Sequence, residues 1–104
     1  MAAWTAARAG LRTLLLEEHR TVGAPPHCSG KLSVHAFREF AIPPSLARTS
    51  LRAATLYAPD GSAATVRRPV VDSHVVDRDR FDRWLVGQAQ AAGAGVVDYM
   101  VANG

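Results

Sequence analysis

A chain of 104 residues, 48% hydrophobic and 20% charged, is long enough for one domain and too apolar for intrinsic disorder. Its net charge of +3 comes from scattered basic residues, with Arg67-Arg68 as the basic pair lacking an adjacent acid; no basic stripe interleaved with aromatics marks a nucleic-acid surface. The single cysteine, Cys28, excludes an internal disulfide framework, and no apolar run reaches the length of a membrane span, so a reducing, cytoplasmic compartment is the expectation.

Residues 2–9 are Ala-rich and predict a helix whose small side chains permit close approach to a sheet. Gly10 stands where a helix end needs a left-handed residue. Residues 11–17 predict a strand. Leu14-Leu15-Leu16 is apolar without alternation, which predicts a parallel strand covered on both faces. Glu17 and Glu18 follow at its tip. Residues 19–31 are punctuated by Gly23, Pro25, Pro26 and Gly30 and predict a loop of the kind that binds ligands. A short helix is expected over 32–40 with Ser33 as N-cap, stopped by Pro43-Pro44, with a further helical turn over 45–49.

Pro59-Asp60-Gly61 between two extended runs predicts a β-hairpin of 51–58 and 63–68. Residues 73–76 form a short apolar piece. From Asp79 onward the period is helical. Phe81, Trp84, Leu85, Gln88 and Ala92 share one face, and Asp79 and Asp82 lie in the first turns, where carboxylates complement the helix dipole. Gly93 and Gly95 end this helix, and 96–101 predict a strand. Its Ala-Gly-Ala joint repeats the opening helix–Gly–strand joint. Two strands of one α/β sheet are therefore expected, with the hairpin projecting from that sheet.

An acid at the tip of a buried parallel strand can accept hydrogen bonds from the ribose hydroxyls of a dinucleotide. The Gly-rich turn that usually accompanies such an acid is not in this sequence. Neither a serine nucleophile elbow nor a phosphate-cradling P-loop is present. His19, His27, His35 and His74 are dispersed, and the adjacent His27-Cys28 pair makes no metal site.

The segment Ala6-Ala7-Arg8-Ala9-Gly10-Leu11-Arg12-Thr13-Leu14-Leu15-Leu16-Glu17-Glu18-His19 resembles the first helix and second strand of the FAD-binding Rossmann domain of flavoprotein oxidoreductases. Val75-Val76-Asp77-Arg78-Asp79-Arg80-Phe81-Asp82-Arg83-Trp84-Leu85 resembles the strand–Arg–helix segment of the same proteins. Gly23-Ala24-Pro25-Pro26-His27-Cys28-Ser29-Gly30 is similar to the Cys-Gly-type loop of the geranylgeranyl reductase family, FAD enzymes that saturate isoprenoid double bonds.

The resemblance implies an α/β fold: a partial FAD/NAD(P)-binding Rossmann-like domain with an inserted β-hairpin. Within it, 2–18 form the helix–strand of the core, 19–44 a flavin-proximal loop and short helix, 51–68 the hairpin and 75–101 a strand–helix–strand. It implies that the chain corresponds to an amino-terminal piece of such a flavoprotein, starting past the Gly-rich turn, inactive alone and weak in FAD binding. Glu17 is implied to hold the adenosine ribose hydroxyls with Glu18 beside it, Arg20 to lie on the adenine side, and Cys28 and Arg78 to lie near the flavin. A solvated acid, a solvated loop residue, a small buried hydrophobe and an ion pair with Asp82 are the plainer readings of Glu17, Arg20, Cys28 and Arg78. The implied cofactor is FAD and the implied substrate of the full-length relative is isoprenoid-like and apolar, compatible with peripheral membrane association. No nucleic acid or metal is implied. A flavin monooxygenase segment and a small non-enzymatic α/β interaction module are the alternatives.

Overall fold

A computed structural model describes residues 1–24 and 28–97. In chain order the elements are α1 (Ala2–Arg8), β1 (Leu14–Leu16), β2 (Lys31–Ser33), α2 (Val34–Glu39), a 3-10 turn (Pro44–Leu46), β3 (Ala47–Leu51), β4 (Ala53–Tyr57), β5 (Ala63–Arg67), β6 (Ser73–Val76), α3 (Arg78–Ala91) and β7 (Gly95–Val97). The described residues fall into two compact units. Residues 1–24, 28 and 78–97 form the first, and residues 29–77 form the second.

In the first unit, β1 and β7 pair in parallel with Leu14 opposite Gly95 and Leu16 opposite Val97, so the two helix–Gly–strand joints do feed one sheet. Each joint closes in the same way. Gly10 donates its N–H to Ala7 O at 3.0 Å and Leu11 to Ala6 O at 3.1 Å; Gly93 donates to Gln90 O at 3.0 Å and Ala94 to Ala89 O at 2.9 Å. Both are Schellman ends, and their pivot glycines sit at φ +80° and +106°. The helices meet through small residues. Ala7, Ala89 and Ala94 are buried together, with Ala3, Trp4 and Ala92 packed on them. Trp4 and Trp84 make an edge-to-face pair with centroids 5.7 Å apart.

The leucine triplet differs from the expectation of a strand covered on both faces. Leu14 and Leu16 are 61% and 54% exposed, while Leu15 is half-buried. Among the described residues β1 has β7 as its one strand neighbour. Alternation along the strand then sends two of three leucines to an uncovered face. The expected strand over 96–101 is described as far as Val97, and its remainder lies outside the described residues.

The second unit holds a sheet that the sequence reading did not foresee, ordered β2-β6-β3 and antiparallel throughout. Three-residue β2 takes the last residue of the expected loop and the first two of the helix expected over 32–40. Ser33 caps α2 as expected, its Oγ accepting from Ala36 N–H at 3.1 Å. The expected helical turn over 45–49 is instead the 3-10 turn and the start of β3, because Ala47 already has extended backbone at φ −75°, ψ 118°. Phe37, Ile42, Leu46 and Val76 are the buried apolar residues of this unit, and the Phe37 and His74 rings lie 4.6 Å apart.

The hairpin forms around Pro59-Asp60-Gly61, with Asp60 Oδ1 accepting from Ser62 N–H at 2.8 Å and Ser62 Oγ–H at 2.6 Å. It belongs to the second unit and forms its own two-stranded sheet. Leu51, expected in the hairpin, belongs to β3.

Candidate functional site

In parallel α/β sheets ligands bind outside the carboxyl ends of the strands. Glu17 stands at that end of β1, and its own N–H still bonds Val97 O at 3.0 Å. The side chain folds back onto His19. Oε1 accepts from the His19 backbone N–H at 2.8 Å and lies 2.7 Å from Nδ1. The backbone N–H is the main cause of a carboxyl pKa below the ordinary glutamate range. The imidazole adds to it, and partial burial opposes both. Glu17 is therefore ionised at neutral pH and purely an acceptor. It lines a cleft of about 310 Å³ with Ala2, Ala3, Leu15, Val22 and Asp82.

Arg78 opens α3 and grips Asp82 one turn on. Its Nε and Nη2 reach Oδ1 at 3.2 and 3.1 Å, and Nη2 reaches Oδ2 at 3.3 Å. Burial pushes the Arg78 pKa down; the bond and charge of Asp82, and then the Cys28 side chain, push it up and prevail. The ion pair with Asp82 is thus present, and Cys28, exposed and outside any disulfide, acts on the same guanidinium. Asp82 links this trio to the Glu17 cleft, which it also lines. In the sequence Asp82 stands out for its place near the helix start and as the partner of Arg78; its share in the cleft depends on the packing of α1 and β1 against α3.

Glu18 and Arg20 do not line that cleft. Glu18 is exposed, with Oε1 3.7 Å from His19 Nε2, and Arg20 is exposed in the following loop. His27 lies outside the described residues. Gly23, in the same loop, packs directly on the first turn of α3. In the second unit Ser50 Oγ lies 2.9 Å from His74 Nδ1, but among the described residues no carboxylate pairs with that histidine, and it reads as a packing contact. Arg68 is not without an acid: it pairs with Asp72 at 3.3 Å. Among the described residues no helix is long and apolar enough to cross a membrane.

No family model matches the chain. It is 35% identical over 104 residues to digeranylgeranylglycerophospholipid reductase 2 of Methanothermobacter thermautotrophicus, covering 98% of this chain and 27% of the relative. It is 38% identical over 98 residues to the protein of the same name from Methanopyrus kandleri, covering 92% of this chain and 24% of that one. The crystal structure of a geranylgeranyl bacteriochlorophyll reductase-like protein from Thermoplasma acidophilum superimposes with a TM-score of 0.83 at 30% identity, over 94% of this chain and 26% of the other. The chain spans about a quarter of the length of the curated relatives it matches. Sequence and structure agree that it is homologous, over nearly its whole length, to one segment of the geranylgeranyl reductase family.

Proposed function

We propose that this chain provides the adenosine-ribose end of an FAD site in a reductase acting on isoprenoid lipids. The observation that carries the reading is Glu17, an ionised carboxylate at the carboxyl end of a parallel strand, facing a cleft between two helices. The residues present fit that end of the cofactor. A carboxylate offers two oxygens to two vicinal hydroxyls, and both His19 bonds fall on Oε1. The same charge repels a 2′-phosphate, which favours FAD over NADP. The cofactor, when bound and in its two-electron-reduced form, would supply the hydride that saturates the double bond and be left as oxidised FAD.

On this reading Glu17 binds and orients the ribose, with Glu18 beside it and Arg20 on the adenine side. Arg78, held by Asp82, keeps a fixed positive charge near the flavin, next to Cys28. The reductase names of the relatives favour reduction over monooxygenation. The substrate class is the geranylgeranylated lipid that those names carry, met at the membrane surface by a cytoplasmic protein.

The test uses adenosine and 2′,3′-dideoxyadenosine in parallel 15N NMR titrations of the chain. Adenosine is expected to shift the amides of residues 15–19 saturably, and the dideoxy compound is not. Glu17→Gln is expected to weaken adenosine binding about tenfold, the loss of a charged hydrogen-bond acceptor. Equal binding of both nucleosides, or indifference to Glu17→Gln, would refute the assignment.

A further inference from the structure

The second unit carries a charged cleft that the flavin reading leaves unused. In an antiparallel sheet directly opposed residues share a face, and neighbours along a strand alternate. Ser73 of β6 opposes Ser33 of β2 and Leu51 of β3, whereas His74 opposes Leu32 and Ser50. Ser73 therefore faces with Leu51 and, two residues along β2, with Lys31. On that face a cleft of about 160 Å³ opens, lined by Lys31, Leu51, Arg52, Arg68, Asp72 and Ser73 among others. Three cations meet one carboxylate there.

The single acid is neutralised, because Asp72 is the one paired with Arg68. Lys31 and Arg52 make no side-chain hydrogen bond or ion pair among the described residues. Ser73 is 2% exposed, and its Oγ is buried without a hydrogen-bond partner. A buried hydroxyl is normally paired, and clustered cations repel one another unless an anion joins them. One group would answer both conditions: an anion with several acceptor oxygens.

We propose that the cleft bounded by Lys31, Arg52, Arg68 and Ser73 binds the phosphate group of a phosphorylated ligand. A phosphate presents enough oxygens for a hydroxyl, an ammonium and guanidinium groups together, where a carboxylate presents two. The small volume suits the phosphate alone, with the rest of the ligand outside. That phosphate belongs either to a soluble ester or to a lipid headgroup. The proposal stands without the flavin reading, since the residues of that reading belong to the first unit.

The test is a 15N NMR titration of the chain with glycerol 1-phosphate against sodium chloride at matched ionic strength, with circular dichroism confirming that each variant is folded. Saturable shifts are expected at residues 51–54 and 72–73. Lys31→Gln and Arg52→Gln are each expected to weaken binding about three- to fivefold, the effect of an exposed charge. Ser73→Ala should weaken it further, while Arg67→Gln, outside the cleft, and Glu17→Gln, in the other unit, leave it unchanged. Co-sedimentation with phosphatidylglycerol and phosphatidylcholine vesicles separates the two sources. Sedimentation with the first, lost in Arg52→Gln and competed by glycerol 1-phosphate, assigns a lipid headgroup; ester binding without sedimentation assigns a soluble ester. Shifts no larger than with chloride, or equal weakening by Arg67→Gln and Arg52→Gln, would overturn the proposal.

Discussion

Gly23 shows how one residue can hold the candidate site together. Its φ is +80°, and a methyl group on it would stand 2.6 Å from Asp79 Cα and 3.1 Å from both Arg78 O and Asp82 Cβ. The loop that leaves Glu17 and His19 thus seats its backbone against the helix that carries Arg78 and Asp82. Gly23→Ala adds a left-handed backbone penalty to a clash with backbone that cannot swing away, and is expected to destabilise the chain by about 2–4 kcal/mol. Gly10 has the same φ of +80° but open space around it. Gly10→Ala should carry the backbone penalty alone, about 1–2 kcal/mol. Urea unfolding midpoints of the two variants decide the matter: equal losses would mean that the contact with α3 contributes nothing. Gly10 is legible as a helix stop, but the tight seat of Gly23 depends on residues more than fifty positions away.

The helix ends make the corresponding point at the scale of an element. α2 closes as α1 and α3 do, with Ala41 N–H on Arg38 O at 3.3 Å and Ile42 N–H on Phe37 O at 3.0 Å. Here, however, the pivot is not glycine: Ala41 sits at φ 48°. Phe37 and Ile42, the residues that flank this turn in the hydrogen-bond pattern, are both buried. Ala41→Gly is expected to stabilise the chain by about 1 kcal/mol, read as a higher urea midpoint at unchanged slope. A lower midpoint would show that chain entropy outweighs relief of the left-handed alanine. Helices, caps and the Asp60 turn were legible because their determinants lie within a few residues: Gly10, Ser33, Asp60, Gly93. The β2-β6-β3 sheet was not, since a three-residue strand has no period and its partners lie some forty residues away. For the same reason Glu17 and the Arg78–Asp82 pair could be picked out in the sequence, while the cleft of Lys31, Arg52, Arg68 and Ser73 could not; only the strand register gathers it. The exposure of Leu14 and Leu16 escaped notice because an apolar run records what a strand can bury, not what its neighbours cover.

Across the whole molecule, the first unit is discontinuous and the second is inserted within it. β1 must find a partner about 80 residues away, and all of the second unit lies between them. Closing so long a segment is slow, but prior collapse of residues 29–77 shortens the effective loop and lowers its entropic cost by about 1 kcal/mol. The inserted unit should therefore become ordered first. Pulsed hydrogen exchange during refolding is expected to protect amides of β3 and β6 before those of β1 and β7, and simultaneous protection would exclude this order. Synthesis on a ribosome imposes the same sequence of events, because β7 is made after the whole of the second unit. β1 thus waits for its partner while the whole second unit and α3 are made. During that interval Leu14-Leu15-Leu16 is an unpaired apolar edge in a growing polypeptide, and the translation of the second unit and α3 together sets how long it stays so.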